Sequence, residues 1–426
     1  MTTAVENELL TRTGPGTPMG ELFRRYWIPV MMSSELAEPD GAPVRVSLLS
    51  EKLLAFRDTQ GRIGLMDEFC AHRRVSLWFG RNEQNGIRCP YHGWKYDHTG
   101  QCVEVPSEPK ENGYCQKIRL KSYPVIEMGG VIWTYMGPAD KQPAPPSFEW
   151  VGLPESHVYI SRRSQESNYL QALEGGIDSS HVSFLHSGEL DTDPLHKNTK
   201  GAKYARSTNT TFDILENPSG LIIGARRDAE PGFNYWRITP WIMPWYTLIP
   251  PYSGNALNGH AWVPMDDDNC MAWSFTFHPS RPLSDAEREA MIDGKGVHAD
   301  LIPGTTIPVA NARNDYLMDR QAQKIGRYYS GIKGLAIQDA SLQESMGAIV
   351  DRTGENLVST DNAIILARRR LMRAAKAVQE GQDAPALRVE DQWIRSASFV
   401  LPKEESFKAK TLDSIKVREG EAHVAV

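Results

Sequence analysis

Two cysteine–histidine pairs lie close together in the first quarter of the chain. One residue separates Cys70 from His72, sixteen residues separate His72 from Cys89, and two residues separate Cys89 from His92. Two thiolates and two imidazoles can hold a [2Fe–2S] cluster in which cysteines bind one iron and histidines the other, and the neutral imidazoles raise its reduction potential. The alternative is a structural Cys2His2 zinc site, although zinc fingers usually pair Cys with Cys and His with His. The pattern predicts an electron-carrying cluster held between two loops.

A second group of polar residues interrupts an apolar stretch between residues 168 and 186. Its first members are Asn168, Gln171, Glu174 and Asp178. On a helix these positions fall within roughly a third of the circumference. Such a stripe is costly to bury unless its members are hydrogen-bonded to one another or bind a metal.

Two histidines follow this stripe. His181 lies three residues after Asp178, so that on a helix both side chains would face the same way. His186 lies five residues further on, about 140° around a regular helix. For both imidazoles to meet one metal, the helix must bulge or end near Ser183. The alternative is two unrelated histidines.

The elements that must position these residues differ between the two halves of the chain. Short strands with turns are predicted at 44–48, 53–56 and 63–66, and a strand pair at 125–135 around Gly129 and Gly130. The proline-rich run 138–146 is a predicted linker. We therefore expect a small β domain at 42–140 and a mixed α+β domain at 141–426. Several strands are expected within 206–280, and Asp361 is expected to cap a C-terminal helix.

Composition restricts the function. The 426 residues carry a net charge of −6, which gives no general attraction to nucleic acid or to an anionic membrane surface. No apolar run is long enough to span a membrane, and residues 1–12 lack the form of a signal peptide, so we expect a cytoplasmic protein. The five cysteines do not indicate a disulfide framework. Arg226-Arg227 and Arg368-Arg369-Arg370 are expected to form exposed faces.

The chain resembles the Rieske ring-hydroxylating oxygenases. Cys-x-His and Cys-x-x-His followed by Gly-Trp, and Asp-x-x-His followed by a second His, match the two signatures of that family. The segments TGPGTPMGELFRRYWIPV, NYWRITPWIMPWYT and QDASLQESMG further resemble the phthalate dioxygenase group. The resemblance implies an α+β fold: a Rieske β domain and a helix-grip (Bet v1-like or START-like) catalytic domain with an antiparallel sheet and C-terminal helices. Residues 1–41 would pack on the catalytic domain.

The resemblance also implies a second cofactor, a mononuclear Fe(II). His181 and His186 would be two ligands of a 2-His-1-carboxylate triad. The third would be a distant carboxylate, for which the candidates are Asp339, Glu344, Asp351 and Asp361. Asp339 is chosen because its context resembles the family pattern, and Asp351 is second.

Two further residues receive roles from the family. Asp178 would not bind iron but would bridge to a cluster histidine, His72 or His92, of a neighbouring subunit and carry the electron. Asn168 occupies the position of a family residue close to the iron. The active assembly would then be a homotrimer or a hexamer of stacked trimers.

The phthalate dioxygenase group acts on aromatic carboxylates such as phthalate, isophthalate and substituted benzoates. An aromatic acid needs an apolar pocket with a cationic anchor. Arg237, in an aromatic strand, is the first candidate, and Arg206 and Lys200 are second choices. Gly14-Pro-Gly16 lacks the spacing of a dinucleotide loop, so reducing equivalents must come from another protein, by resemblance an NAD(P)H-dependent reductase with FMN and a [2Fe–2S] cluster.

The expected activity is cis-dihydroxylation of an aromatic carboxylate with O2, as in phthalate 4,5-dioxygenase. A Rieske monooxygenase or O-demethylase with the same metals is an alternative. A Rieske electron carrier or binding module without catalytic iron is an alternative of another class.

Overall fold

The computed structural model describes residues 2–419 and 421–426, and these form two compact units. The N-terminal unit comprises Thr13–Gly16 and Gly20–Pro145. The C-terminal unit comprises the residues up to Arg12, Thr17–Met19 and Pro146–Val426. In the described residues, no helix is both long and apolar enough to cross a membrane.

The N-terminal unit consists of three small antiparallel sheets. Their orders are β1-β10-β9, β2-β3-β4 and β5-β6-β7-β8. The strands are β1 (Trp27–Met32), β2 (Val44–Leu48), β3 (Glu51–Arg57), β4 (Ile63–Asp67), β5 (Arg81–Asn82), β6 (Ile87–Arg88), β7 (Lys95–Tyr96), β8 (Cys102–Glu104), β9 (Val125–Met128) and β10 (Val131–Tyr135). The strands expected at 44–48, 53–56 and 63–66 and the pair within 125–135 are confirmed.

The C-terminal unit is built on one antiparallel sheet. The order is β11-β17-β16-β15-β14-β13-β12, and β18 pairs with β14. The strands are β11 (Val158–Gln165), β12 (Thr211–Glu216), β13 (Gly220–Asp228), β14 (Phe233–Ile242), β15 (Tyr246–Ile249), β16 (Leu257–Pro264), β17 (Cys270–Phe277) and β18 (Ala397–Pro402). β14, β16 and β17 are buried along almost their whole length, which explains why their sequences are nearly continuously apolar or aromatic.

The α-helices belong to the C-terminal unit, except for most of the short helix at Pro18–Phe23. They are α1 (Ala4–Thr11), α2 (Pro18–Phe23), α3 (Tyr169–Ile177), α4 (Glu189–Thr192), α5 (Lys200–Ala205), α6 (Asp285–Ile292), α7 (Arg320–Lys324), α8 (Leu335–Ser345), α9 (Asn362–Gln379), α10 (Val389–Gln392) and α11 (Phe407–Ser414). The expected C-terminal helix is α9, with Asp361 at its N-cap position. The mixed α+β architecture with an antiparallel sheet is confirmed.

The unit bounds differ from the domain bounds expected at 1–41, 42–140 and 141–426. Gly20 and the residues after it group with the N-terminal unit because β1 pairs with β10. Only the residues up to Arg12 and Thr17–Met19 group with the C-terminal unit. The change of unit at Pro145–Pro146 lies within the expected linker.

Candidate metal centres and substrate cavity

The two cysteine–histidine loops meet in the N-terminal unit. Cys70 and Cys89 are 1% and 2% exposed and belong to the apolar core of the unit. His72 and His92 are exposed, and their ring centroids lie 4.5 Å apart. The loops therefore bring buried sulfur and exposed imidazole together, as a cluster with one cysteine-bound and one histidine-bound iron requires.

Two aromatic residues support these loops, and sequence reasoning gave neither a role. The Tyr96 hydroxyl lies 3.2 Å from Cys70 Sγ and accepts a hydrogen bond from the Ala71 N–H at 3.1 Å. Trp94 stacks on His72 with ring centroids 4.7 Å apart. Hydrogen bonds to cluster sulfur tune the reduction potential, so Tyr96 is placed to do so.

The second group of polar residues begins at α3. Asn168 caps this helix, since its side chain accepts a hydrogen bond from the Leu170 N–H. The helix contains Gly175 and Gly176 in its last turn, where a Cβ at Gly176 would lie 2.8 Å from Thr247 Oγ1. Glycine therefore permits α3 to pack closely on the sheet, at the cost of helix propensity near its end.

The helix ends earlier than we expected. α3 stops at Ile177, and a separate 3-10 turn covers His181–Ser183, whereas the sequence placed the end near Ser183. Asp178 thus lies at the C-cap, and its Oδ1 accepts a hydrogen bond from the Ser180 N–H at 2.7 Å. This competing bond of an aspartate side chain favours a turn over a further helical residue.

His181, His186 and Asp339 converge in the C-terminal unit. The two histidine Nε2 atoms lie 3.1 Å apart, and Asp339 Oδ1 lies 3.5 Å from that of His181 and 3.2 Å from that of His186. Three donors at about 2.1 Å from one metal ion, on mutually perpendicular axes, would be spaced by about 3 Å. Among the described residues, this is the only group of three or more His, Cys, Asp or Glu side chains close enough to share a metal ion. The donor set and spacing fit a mononuclear iron.

Each imidazole is held through its other nitrogen. His181 Nδ1 lies 3.3 Å from Asp178 Oδ2, and His186 Nδ1 lies 2.8 Å from Gln338 Oε1. Because both partners accept hydrogen bonds, each Nδ1 carries the proton and each Nε2 presents its lone pair to the shared position. Gln338 was noted in the sequence only as part of the context of Asp339.

The charges of this group are strongly coupled. Burial alone would raise the pKa of Asp339, but His186 and His181 outweigh burial and lower it to about 2. Burial would likewise lower the pKa of His181, but Asp178 and Asp339 raise it. The centre therefore holds an ionised carboxylate against two imidazoles, which is a site that attracts a cation.

The other members of the polar stripe face away from this centre. Asn168 Nδ2 donates to the carbonyl groups of Thr11 and Asp267, at 3.0 and 2.7 Å. Gln171 Nε2 donates to the carbonyl groups of Gln343 and Gly347. The structure therefore does not support an iron-site role for Asn168, because its amide is committed to joining chain segments.

Glu174 is also committed to a network. Its carboxylate accepts hydrogen bonds from Arg352 at 3.0 Å and Arg368 at 2.7 Å, and Arg368 also binds Glu355. All of these contacts are inside the C-terminal unit. Apart from Asp178, the buried polar side chains of the stripe are therefore satisfied by hydrogen bonds and ion pairs with distant residues. The expectation that Arg368 is exposed is wrong, because α9 turns it towards Glu174.

A cavity opens next to the convergent histidines. It encloses about 780 Å³, including its mouth. Its apolar lining includes Val182, Leu190, Ile249, Trp262, Val297 and Leu335. Its polar lining, besides the residues near the metal position, includes His196, Arg237, Thr239, Tyr252 and His260. An apolar cavity with few polar groups is typical of a small-molecule site.

Arg237 is the one arginine or lysine of this described lining. It is 4% exposed, and its Nε and Nη1 have no described partner with hydrogen-bond geometry, although burial is outweighed by the nearby Tyr252 and Tyr235, which raise the pKa of Arg237. Its Cζ lies 5.0 Å from the ring centroid of Tyr252. Arg206 and Lys200 are exposed at the two ends of α5 and do not line the cavity. Of the three cations chosen from the sequence, the structure places only Arg237 in the cavity.

The structure also distinguishes among the four candidates for the third metal ligand. Asp351 is exposed and binds its own neighbour Thr353, and Glu344 accepts hydrogen bonds from the Glu166 N–H and Tyr316. Asp361 accepts from the Val358 N–H. Asp339 is the one of the four candidates that lies within reach of both histidines.

Two protein-family models match the chain. The Rieske [2Fe-2S] domain matches residues 26–124, and the LigXa C-terminal domain like model matches residues 134–423. The first covers both cysteine–histidine loops, and the second covers His181, His186 and Asp339.

Three curated relatives match most of the chain. The 3-chlorobenzoate-3,4-dioxygenase oxygenase subunit of Comamonas testosteroni is 39% identical over 93% of this chain and 95% of its own length. The phthalate 4,5-dioxygenase oxygenase subunit of Pseudomonas putida is 38% identical over 90% and 88%. The 5,5'-dehydrodivanillate O-demethylase oxygenase subunit of Sphingobium sp. (strain NBRC 103272 / SYK-6) is 31% identical over 93% and 86%.

Proposed function

The chain belongs to the Rieske non-haem iron oxygenases, and on that premise we propose that it is the oxygenase component of an aromatic-acid dioxygenase. Its cofactors as a member of the family are a Rieske [2Fe–2S] cluster and a mononuclear iron. Cys70, His72, Cys89 and His92 would hold the first, and His181, His186 and Asp339 the second. When bound, the cluster supplies single electrons and the mononuclear iron activates dioxygen.

The proposed substrate class depends on one observation, the burial of Arg237 beside the metal position without described hydrogen-bond partners for Nε and Nη1. A buried guanidinium with two nitrogen atoms that no described residue satisfies is costly unless a ligand completes it. A carboxylate fits, because it can accept two parallel hydrogen bonds from the planar guanidinium. The apolar walls formed by Val182, Leu190, Ile249 and Val297 would then bury an aromatic ring beside the metal position.

The lining favours one carboxylate over two. Burial lowers the pKa of His260 to about 4, and burial also lowers the pKa of His196, so both are neutral near pH 7. A second carboxylate in the cavity would meet no second cation among the described lining residues. Within the class of phthalate, isophthalate and substituted benzoates, the substrate is therefore a substituted benzoate.

The proposed reaction adds both atoms of dioxygen to adjacent ring carbons. The arene, O2, two electrons and two protons together give a cis-dihydrodiol. Arg237 orients the ring by its carboxylate, and Asp178 fixes His181 through Nδ1. The electrons come from a separate NAD(P)H-dependent reductase carrying FMN and a [2Fe–2S] cluster.

The same proposal includes the assembly and the location. Asp178 would bridge to a cluster histidine of a neighbouring subunit, so the active form is a homotrimer or a hexamer of stacked trimers. The protein would work in the cytoplasm, where the reductase draws on NAD(P)H.

Oxygen-18 labelling tests this function. The reconstituted protein, a reductase of this type and ¹⁸O2 are incubated with benzoate, 3-chlorobenzoate, phthalate, isophthalate and terephthalate. We expect a dihydrodiol with two labelled atoms from a monocarboxylate, and no product from a protein in which His181 or His186 is alanine. Product formation by those variants would show that the reaction centre lies elsewhere.

An O-demethylase activity is the second candidate, because one relative with 31% identity is named as an O-demethylase subunit. Methoxybenzoates in the same panel separate the two activities. Formaldehyde and one labelled atom per turnover, without a diol from any acid, would favour demethylation. An electron carrier without catalytic iron would give no labelled product and bind two irons per chain.

A further inference from the structure

Arg227 is a buried arginine that the proposed function does not use. The sequence suggested an exposed Arg226-Arg227 face, but the structure leaves only 1% of Arg227 exposed. The expectation is wrong for Arg227 because consecutive residues of β13 point to opposite faces of the sheet. Arg226 is partly exposed and binds Thr211, whereas Arg227 is directed into the C-terminal unit.

The hydrogen bonds of Arg227 go to two loop segments. Its Nη2 donates to the Ser179 carbonyl at 2.5 Å, and its Nη1 donates to Ser179 Oγ at 3.3 Å. Its Nε donates to the Ser207 carbonyl at 3.2 Å. No described carboxylate forms an ion pair with it. Burial, followed by the charge of Arg237, lowers its pKa to about 10, so it remains charged near pH 7.

Ser179 lies in the two-residue link between Asp178 and His181. This link contains no helical hydrogen-bond ladder, since α3 ends at Ile177 and the next turn begins at His181. The 3.3 Å contact between Asp178 Oδ2 and His181 Nδ1 therefore depends on how the link is held. Arg227 holds it from the sheet by two bonds to one residue, a geometry that a guanidinium provides and an ammonium does not.

We propose that Arg227 is the positioning residue that sets the Asp178–His181 pair, and thereby the orientation of the His181 imidazole towards the mononuclear iron. On the neighbouring strand β14, Arg237 pairs with Ala225, which lies two residues before Arg227 on β13. The two buried arginines thus have different tasks: Arg237 faces the cavity, and Arg227 holds the turn.

The proposal rests on iron ligation by His181 and is tested on the full chain with its cluster loaded. Three variants are compared with the wild type: Arg227→Lys, which keeps the charge, Arg227→Gln, which removes it, and Arg226→Gln as the control on the opposite face of β13. Circular dichroism and the cluster absorption report folding. The measurements are the dissociation constant of Fe(II) at the mononuclear site, the EPR spectrum of the ferrous site with nitric oxide, and the separate values of kcat and KM for 3-chlorobenzoate.

We expect both Arg227 variants to bind Fe(II) about tenfold more weakly or worse, since residues that orient a ligand usually contribute this much. Their nitric oxide EPR spectra should change in rhombicity, and kcat should fall more than KM rises. Arg226→Gln should match the wild type. A lower melting temperature with unchanged Fe(II) affinity and EPR spectrum would overturn the proposal and leave Arg227 a purely structural residue. If Arg227→Gln does not fold, Arg227→Lys decides by the same criteria.

A fourth variant, His181→Ala, distinguishes a failure of this inference from a failure of the proposed function. If His181→Ala binds Fe(II) like the wild type, the ligand assignment and with it the proposed function fail. If His181→Ala loses the iron while both Arg227 variants retain wild-type affinity and spectrum, only the role of Arg227 fails.

Discussion

His186 and Gln338, 152 residues apart in the chain, are joined by a 2.8 Å hydrogen bond between Nδ1 and Oε1. Gln338 is fully buried, and its Nε2 donates to the Ile332 carbonyl at 2.8 Å. This second bond fixes the amide so that its oxygen faces the imidazole. The His186 Nε2 lone pair is thereby directed towards the metal position that it shares with Asp339, which lies on the same helix as Gln338.

Replacing Gln338 by leucine removes this acceptor with little change in volume. We expect Fe(II) affinity at the mononuclear site to fall by about 10- to 100-fold, the usual effect of losing an outer hydrogen bond to a ligand. Anaerobic titration of the iron-depleted protein with Fe(II) measures it. Gln338→Glu keeps an acceptor for His186 Nδ1 but loses the donor to the Ile332 carbonyl, so its Fe(II) affinity should lie between those of the wild type and Gln338→Leu. Equal affinities in the wild type and Gln338→Leu would contradict the anchoring role.

Asp178 offers a different test, because it orients His181 with a charge. Asparagine keeps the size and the bond to the Ser180 N–H but loses the anion. We expect Asp178→Asn to bind Fe(II) about tenfold more weakly, because the acceptor of the His181 N–H is lost, and, once saturated with iron, to accept electrons from the reductase at the normal rate. Coupled product formation should fall by at least about 100-fold, because the charged acceptor of the His181 N–H is lost.

Stopped-flow spectroscopy separates these steps, since cluster reduction and cluster reoxidation have different absorption changes. Asp351→Asn is the matched control: Asp351 is exposed and bonds only to Thr353 among the described side-chain contacts. It should lose neither iron nor activity. A loss of iron in that variant would restore Asp351 as the third ligand and displace Asp339.

Local spacing predicted the parts of this site that are close in sequence. The cysteine–histidine pairs and the Asp178–His181–His186 run each lie within about twenty residues of sequence, so the sequence alone could propose them as site residues. The helix end at Ile177 was misplaced because periodicity does not reveal that Asp178 will bond to the Ser180 N–H. Asp339 was proposed only by family resemblance, since nothing local in the sequence links it to His186.

The partners that sequence reasoning missed are distant in the chain. Glu174 meets Arg352 and Arg368 across 178 and 194 residues. The helical pattern of α9 and the strand pattern of β13 identified the elements but not which buried faces would carry an arginine. A buried charge is recognised only when its tertiary partners are known, because exposure is the usual state of arginine.

The Glu174 network predicts a pH-dependent stability. Burial would raise the pKa of Glu174, but Arg352 and Arg368 outweigh burial and hold it below the ordinary value. A carboxylate with a lowered folded-state pKa contributes stability that is complete above its unfolded-state pKa. This contribution is lost as the pH falls through the folded-state pKa.

Glu174→Gln should therefore destabilise the protein most near neutral pH. We expect a loss of about 3 kcal/mol there, because two buried arginines lose a charged partner, and a difference that shrinks on acidification. Melting temperatures from circular dichroism between pH 3 and pH 8 measure this. Glu166→Gln is the control, since Glu166 pairs with Arg313 at an exposed position. A constant difference between Glu174→Gln and the wild type over that range would argue against the ion-pair account.

The last prediction concerns Arg237 and the charge of the substrate. Arg237→Met keeps an apolar side chain in the cavity but removes the carboxylate anchor. A hydrogen bond to a charged group contributes about 1.5–3 kcal/mol, so the KM for benzoate or 3-chlorobenzoate should rise by about 10- to 100-fold. Titration calorimetry gives the same comparison without turnover. A benzoate Kd that does not change in Arg237→Met would place the carboxylate elsewhere.

The number of carboxylates on the substrate is decided by comparing the Kd values of benzoate and phthalate between the wild type and Arg206→Ala. If Arg237 is the only cation that meets the substrate, benzoates should bind more tightly than phthalate to the wild type, because a second carboxylate would be buried without a partner. Arg206→Ala should then leave the Kd values of both acids unchanged. A selective loss of phthalate binding in Arg206→Ala would instead show that this exposed arginine moves in to meet a second carboxylate, and the substrate would be a dicarboxylate.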